Sequence, residues 1–250
     1  MAGHSHAKNV MHTKAISDAK KGKIFNKIAR EITVASMLGS PDPAHNPRLR
    51  AALAEARTKN MTKDRIDRAI KAGQPDSGDK GHYEEVRYEA YGPGGSALII
   101  EALTDNRNRT AAEVRTALSK NGGTLGESGS VAFMFDRLGE ITYPAAKADA
   151  DTMLEAVIEA GGDNVDSEED AHYITMGVED FGSVRSALEE RFGEPSSAKL
   201  VWYAQNDIPV TGDAAQTLLK LVDLLEDNDD VQNIFGNYEI SEEDMAAFKG

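Results

Sequence analysis

A polar segment at residues 74–81, Gln-Pro-Asp-Ser-Gly-Asp-Lys-Gly, separates two parts of the chain that differ in hydrophobic periodicity. Before it, apolar residues recur every three or four positions, which is the spacing that a helix needs to bury one face. After it, short apolar runs of strand length alternate with helical stretches. The sequence therefore predicts a small helical bundle, a linker and a larger α+β region.

Helix-start and helix-stop residues place three helices before the linker. The first spans about residues 17–38 and is followed by Gly39 and the breaker run Ser-Pro-Asp-Pro. The second begins after Asn46 with Pro47 in its first position, and the third spans residues 62–73. Beyond the linker, strands are predicted at 83–91, 97–103, 131–135, 141–143, 172–176, 200–204 and 238–240, and helices at 108–120, 149–160, 178–192 and 213–225.

Charge is divided unevenly between the same two parts. Residues 1–75 contain 15 Lys and Arg against 6 Asp and Glu, whereas the remainder contains 13 against 36, so the net charges are +9 and −23. The net charge of the whole chain, −14, conceals this basic region. A basic region attached to an acidic body can still bind a polyanion such as nucleic acid.

The first helix carries an apolar stripe on one face and a basic stripe on another. At i, i+3 and i, i+4 spacing these are Ile24, Ile28, Ile32 and Ala35, and Lys20, Lys23, Lys27 and Arg30. The basic stripe is either a solvated helix face or a phosphate-binding face, and the other basic residues of this region favour the second interpretation. The predicted nucleic-acid-binding residues are Lys8, Lys14, Lys20, Lys21, Lys23, Lys27, Arg30, Arg48, Arg50, Arg65 and Arg68.

Three further motifs each have a structural and a functional interpretation. Arg107 and Arg109 begin a predicted helix, where positive charge opposes the helix dipole, so a bound anion or an acidic partner is possible beside simple turn formation and capping. Gly92–Gly95 could cradle a phosphate but lacks the Lys-Ser/Thr of a P-loop, which favours a hairpin turn. Residues 226–230, Glu-Asp-Asn-Asp-Asp, lack EF-hand spacing and are predicted to form a solvated acidic loop.

Composition argues against several classes of function. The chain has no Cys, and His4, His6, His12 and His45 lack partners at metal-ligand spacing, so no metal or cofactor is expected. No catalytic constellation stands out, which argues against an enzyme. No signal peptide or membrane span is recognisable, so we expect a cytoplasmic protein without a membrane partner. A monomer is favoured.

The order of several motifs resembles the YebC/PmpR family over essentially the whole chain. The motifs are Met-Ala-Gly-His-Ser at 1–5, Lys-Gly-Lys-Ile-Phe at 21–25, Arg-Glu-Ile-Thr-Val-Ala at 30–35, Asn-Pro-Arg-Leu-Arg-Ala-Ala at 46–52, Asn-Met-Thr-Lys-Asp-Arg-Ile-Asp-Arg-Ala-Ile at 60–70, Tyr-Glu-Ala-Tyr-Gly-Pro-Gly-Gly at 88–95 and Asp-Asp-Val-Gln-Asn at 229–233. The resemblance implies a basic arm and three-helix bundle at 1–78, followed by two sandwich-like α+β domains: a discontinuous one at 79–131 plus 206–250, and one inserted in it at 132–205.

The resemblance also implies a function. It favours a non-enzymatic, DNA-binding regulator of transcription whose basic N-terminal region contacts the phosphate backbone. Other members resemble translation factors that act at the ribosome where proline runs slow synthesis, so ribosomal or transfer RNA is the alternative partner. An enzyme with a phosphate pocket near Gly92–Gly95 is the most distant alternative.

Overall fold

The computed structural model describes residues 18–74 and 83–248, with side chains in the first helix from residue 22 onward. The helices in these residues are α1 Asp18–Leu38, α2 Pro47–Thr58, α3 Lys63–Ala72, α4 Arg107–Lys120, α5 Ala150–Ala160, α6 Phe181–Phe192, α7 Gly212–Glu226 and α8 Glu242–Ala246. The strands are β1 Glu84–Tyr91, β2 Ala97–Thr104, β3 Thr124–Leu125, β4 Phe135–Pro144, β5 Asn164–Ser167, β6 Ala171–Gly177, β7 Ser197–Ala204, β8 Ile208–Pro209, β9 Val231–Gly236 and β10 Tyr238–Glu239. The predicted α+β class, with three helices preceding the sheets, is confirmed.

The α1–α2 connection is organised by Asn46. Its Oδ1 accepts a hydrogen bond from the Leu49 amide at 3.0 Å and so caps α2, which begins with Pro47. Its Nδ2 donates to the carbonyls of Ala35 and Ser40 at 2.8 and 2.7 Å. One buried amide therefore satisfies backbone groups at the end of α1 and the start of α2.

Helix α3 packs closely on the C-terminal half of α1. The hydroxyls of Thr33 and Ser36 donate to the carbonyls of Ala69 and Ile70, each at 3.0 Å. A Cβ at Gly73 would collide with the Thr33 carbonyl, so only glycine permits this approach. The predicted apolar stripe of α1 is buried along the same helix, with Ile28, Ile32 and Ala35 at most 4% exposed.

The described residues form two compact units. One comprises residues 18–30, 83–136 and 203–248, and the other comprises 31–74 and 137–202. The first contains the sheet β3-β1-β2-β9, and the second contains almost all of the sheet β5-β6-β4-β7, whose segment is inserted between β3 and β9. The domain limits at 1–78, 79–131 plus 206–250, and 132–205 remain a prediction.

In the first unit, helices α4 and α7 cover one face of an antiparallel sheet. Strands β1 and β2 pair in continuous register from Glu84 opposite Thr104 to Tyr91 opposite Ala97. The core between the sheet and the helices is formed mainly by Leu98, Ile100, Val114, Leu118, Leu218 and Leu221. In the second unit, α5 and α6 pack on their sheet around Ile141, Tyr143, Met153, Val157, Ile174, Met176, Val184 and Leu188.

Several predicted boundaries are wrong. The strand predicted at 131–135 begins only at Phe135, because the amides of Val131 and Ala132 both donate to the Glu89 carboxylate at 2.8 Å and the chain turns there. Strands β3, β5, β8 and β9 were not predicted: the first three have two to four residues each, and β9 pairs with a strand far away in the sequence. Helix α6 starts at Phe181 rather than at 178.

Candidate nucleic-acid interface

The basic stripe of α1 contacts the chain's own residues 226–230, here called the acidic tract. Lys23 Nζ lies 3.0 Å from Asp227 Oδ2, and Lys27 Nζ donates to the Glu226 carbonyl at 2.6 Å. Burial lowers the pKa of Lys27, and the nearby acidic residues of the tract oppose that shift. Both lysines therefore meet the C-terminal end of α7, where the helix dipole favours positive charge.

Arg30, at the end of the stripe, is held by several acceptors. Its Nη1 donates to the carbonyls of Leu103 and Asp229 at 3.0 and 2.7 Å and to Asp230 Oδ1 at 2.6 Å. Its guanidinium also lies 5.4 Å from the centre of the Tyr83 ring. A guanidinium with this many acceptors fixes the position of α1 in the first unit.

The Asp230 carboxylate collects hydrogen bonds from three directions, and its side chain is only 4% exposed. Besides Arg30, it accepts from Arg109 Nη2 at 2.7 Å and from Thr110 Oγ1 at 2.6 Å, and Thr104 Oγ1 lies 3.1 Å from it. Burial opposes the ionisation of Asp230, but these hydrogen bonds outweigh it and hold the pKa of the carboxyl below its ordinary value. These residues are called the Asp230 cluster here. Its carboxylate is already occupied by donors from the chain itself, so the cluster serves the structure.

Two sequence predictions about these segments need correction. The acidic tract is not simply a solvated loop, because Asp230 is buried and the tract pairs with α1. The acidic partner expected near Arg107 and Arg109 belongs to the same chain: Arg109 binds Asp105 at 2.9 Å as well as Asp230. These contacts raise the pKa of Arg109. Arg107 is exposed.

The other predicted site residues differ in their surroundings. Arg48 forms a two-pronged contact with Glu31 at 2.6 and 2.9 Å, and Arg50 donates to the Pro43 carbonyl at 3.3 Å. Arg68 is exposed and pairs with Asp64, one helical turn earlier, whereas Arg65 is half-buried. Lys8 and Lys14 lie outside the described residues, as do the side chains of Lys20 and Lys21.

Three further basic residues are exposed on or beside α2 and α3. This lysine group consists of Lys59, Lys63 and Lys71. None of the three makes an ion pair or side-chain hydrogen bond with any residue in 22–74 or 83–248. The sequence did not single out these three lysines as site residues. Helical phasing cannot distinguish a basic side chain that has a partner within the chain from one that has none.

The Gly92–Gly95 segment forms the hairpin turn between β1 and β2, as the more favoured interpretation predicted. Gly94 has a φ of 71°, and a Cβ added to it would lie 2.8 Å from Val210. The side of Gly94 on which a Cβ would lie is therefore occupied by the apolar side chain of Val210.

Models of one protein family match most of the chain. The model described as the TACO1/YebC protein N-terminal domain matches residues 5–76, and the one described as the TACO1/YebC second and third domain matches residues 83–238. The chain belongs to the TACO1/YebC family. A solved structure, the crystal structure of a conserved hypothetical protein, Aq1575, from Aquifex aeolicus, is 41% identical, with a TM-score of 0.82 over 93% of this chain and 96% of that chain.

The basic and the acidic features of this TACO1/YebC chain fall in regions that are matched by different family models. The basic stripe and the lysine group fall in the N-terminal match, and the acidic tract falls in the second and third domain match. Within 18–74 and 83–248, no three His, Asp or Glu residues are grouped so that they could hold a metal ion. None of the described helices combines the length and the apolar character that crossing a membrane requires.

Proposed function

We propose that this protein is a non-enzymatic regulatory protein that binds nucleic acid through exposed basic residues of its N-terminal helices. The observation that carries the proposal is the lysine group, whose three ammonium groups are exposed and have no partner among the described residues. A phosphate backbone is bound by several cations that can approach it freely, and each contact releases counterions. The family model that matches residues 83–238 is named for a transcriptional regulator, and that name supports the same assignment.

The preferred target is DNA, contacted along its backbone. Lysine contacts to phosphate give affinity and position but no reading of base sequence, so we expect weak sequence preference. The alternative is a translation factor that binds ribosomal or transfer RNA at the ribosome. Lysine side chains bind phosphates but offer no aromatic ring on which a base could stack. The lysine group therefore suits the backbone of folded RNA better than a single strand.

Among the residues predicted from the sequence, Arg65 and Arg68 belong with the lysine group, on or near α3. Lys8, Lys14, Lys20 and Lys21 remain proposed contacts from the chain preceding residue 22. Arg48 and Arg50 already serve the fold through Glu31 and Pro43. Their replacement should alter stability more than affinity.

The test measures binding of a labelled 20-base-pair DNA duplex, and of the RNA duplex of the same sequence, at several salt concentrations. Lys63→Glu/Lys71→Glu should weaken binding and reduce the slope of log affinity against log salt by about 0.9 for each lost phosphate contact. The control, Lys220→Glu, makes the same kind of charge change at an exposed position of α7. Equal effects of these substitutions, per charge reversed, would refute a localised site.

Crosslinking in cells followed by sequencing of bound DNA and RNA decides between the two targets. Enrichment of DNA fragments over the crosslinked background supports the transcriptional assignment. Predominant recovery of ribosomal or transfer RNA would replace it with the translational one.

A further inference from the structure

Two carboxylates of the acidic tract, those of Asp227 and Asp229, lie outside the buried Asp230 cluster. The buried Asp230 cluster already anchors Arg30, and Lys27 is bound by a backbone carbonyl of Glu226 rather than by a carboxylate. The side chain of Asp229 is exposed, and this residue contacts Arg30 through its backbone carbonyl. The fixed part of this interface therefore needs few of the carboxylates that surround it.

The position of the tract makes its negative charges unfavourable for the helix itself. Glu226 ends α7 and Asp227 caps it, so both add negative charge where the helix dipole is already negative. Basic residues are the ones that stabilise a helix C-terminus. Helix stability alone does not account for acidic residues at this end.

The contacts also differ in how firmly they are held. The side chains of Lys23 and Asp227 are 38% and 40% exposed, so water and salt screen their ion pair. In contrast, the Arg30–Asp230 pair is largely buried, with 19% and 4% exposed. An incoming polyanion could displace the outer pair while the inner one keeps α1 in place.

We propose that the acidic tract occupies Lys23 of the basic stripe as an internal competitor of nucleic acid, so that Lys23 contacts phosphate only when the Asp227 carboxylate is displaced. This inference rests on the proposed function and adds a means of regulating it. The tract weakens the binding of short or sparsely charged ligands, because they have few charges with which to displace it. A long phosphate backbone, with many charges, takes the place of the Asp227 carboxylate at Lys23.

The test uses the full chain and the labelled 20-base-pair DNA and RNA duplexes. Asp227→Asn/Asp229→Asn removes the two side-chain charges while leaving every backbone contact of the tract in place. The control, Asp213→Asn/Glu127→Gln, changes the net charge equally at two exposed positions of the same unit. Relative to the control, we expect tighter binding by up to about eightfold at 0.1 M salt and a slope steeper by about 0.9, since Lys23 gains one phosphate contact and each neutralised phosphate contributes that amount.

A double-mutant cycle identifies the lysine involved. Lys23→Ala should weaken binding more in the Asp227→Asn background than in the wild type, because only the freed lysine reaches phosphate. If the tract variant binds no better than its control and the cycle shows no coupling, the stripe is purely structural and the inference is wrong. The proposed function then still stands if Lys63→Glu/Lys71→Glu weakens binding, and both fail if no variant binds either duplex.

Discussion

The Asp230 cluster offers the sharpest test of how the first unit is held together. Asp230→Ala removes a carboxylate whose side chain is 4% exposed and leaves two guanidinium groups facing each other. Breaking a buried ion pair typically costs about 3–5 kcal/mol in unfolding free energy. Because the side chains of Arg30 and Arg109 are 19% and 43% exposed, water can solvate them in part, and we expect the lower end of that range.

The isosteric Asp230→Asn variant keeps the volume of the side chain but turns one acceptor into a donor. We expect a loss of about 2 kcal/mol, since a hydrogen bond to a charged group contributes about 1.5–3 kcal/mol. Asp229→Asn is the matched control, because the neighbouring carboxylate is exposed and takes no part in the cluster. Its effect should stay within roughly 0.5 kcal/mol, the usual limit for surface positions.

Urea unfolding followed by circular dichroism gives the free energies, and hydrogen exchange measured by mass spectrometry locates the change. The extra exchange should appear in residues 97–120, which contain β2 and α4. Two compact units need not unfold together, so the regional measurement carries the comparison. If Asp230→Asn costs no more than Asp229→Asn, the cluster does not stabilise the fold and the reasoning above fails.

Three further predictions concern the Glu89 carboxylate, two glycines and the pH dependence of stability. Glu89→Gln should destabilise the first unit by about 2–3 kcal/mol, because the carboxylate accepts hydrogen bonds from three backbone amides and a Gln side chain would turn a donor towards them. Hydrogen exchange of the amides in residues 129–132 should become faster. Unchanged exchange in this segment would contradict the prediction. Thermal unfolding should show Gly73→Ala as destabilising, since its Cβ would meet the Thr33 carbonyl, whereas Gly22→Ala, with no atom within 4 Å, should stabilise α1 by about 0.5–1 kcal/mol. The carboxyl pKa values of Glu89 and Asp230 are held below their ordinary values of 4.5 and 3.8, so their stabilisation is complete at neutral pH and is lost as the pH falls below about 4. The gap in stability between wild type and Asp230→Asn should accordingly shrink in acid, and a gap that stays constant down to pH 2.5 would refute the assignment.

Local sequence patterns predicted local structure well. The Pro47 helix start, the hairpin turn at Gly92–Gly95 and the burial of Ile28 and Ile32 all follow from periodicity and turn chemistry, which involve neighbours a few residues apart. Strand β9 was missed because its pairing with β2 depends on residues far apart in the sequence. The Glu89 carboxylate that ends the turn before β4 was missed for the same reason, since it lies about 40 positions from the amides it binds.

The partners of the basic stripe could not be predicted either, because they are also far away in the sequence. Helical phasing correctly places Lys23, Lys27 and Arg30 along α1, yet it says nothing about which segment faces them. Their partners are 199 and 200 positions away for Lys27 and Arg30, and those partners lie in the acidic tract that the sequence marked only as solvated. The basic stripe and the acidic tract, neither of which has a partner nearby in the sequence, thus bind each other.

The pairing changes what the charge asymmetry means. The net charge of +9 in residues 1–75 counts Lys23, Lys27 and Arg30 as available to an external polyanion, although each contacts the acidic tract in the isolated chain. If the protein binds nucleic acid as proposed, the positive charge available to a ligand is therefore smaller than the sequence total. The contacts of the lysine group are then set by salt alone, whereas the contact of Lys23 is also set by the competing carboxylate of Asp227. Only the contact of Lys23 can be altered by changing the tract without replacing a basic residue.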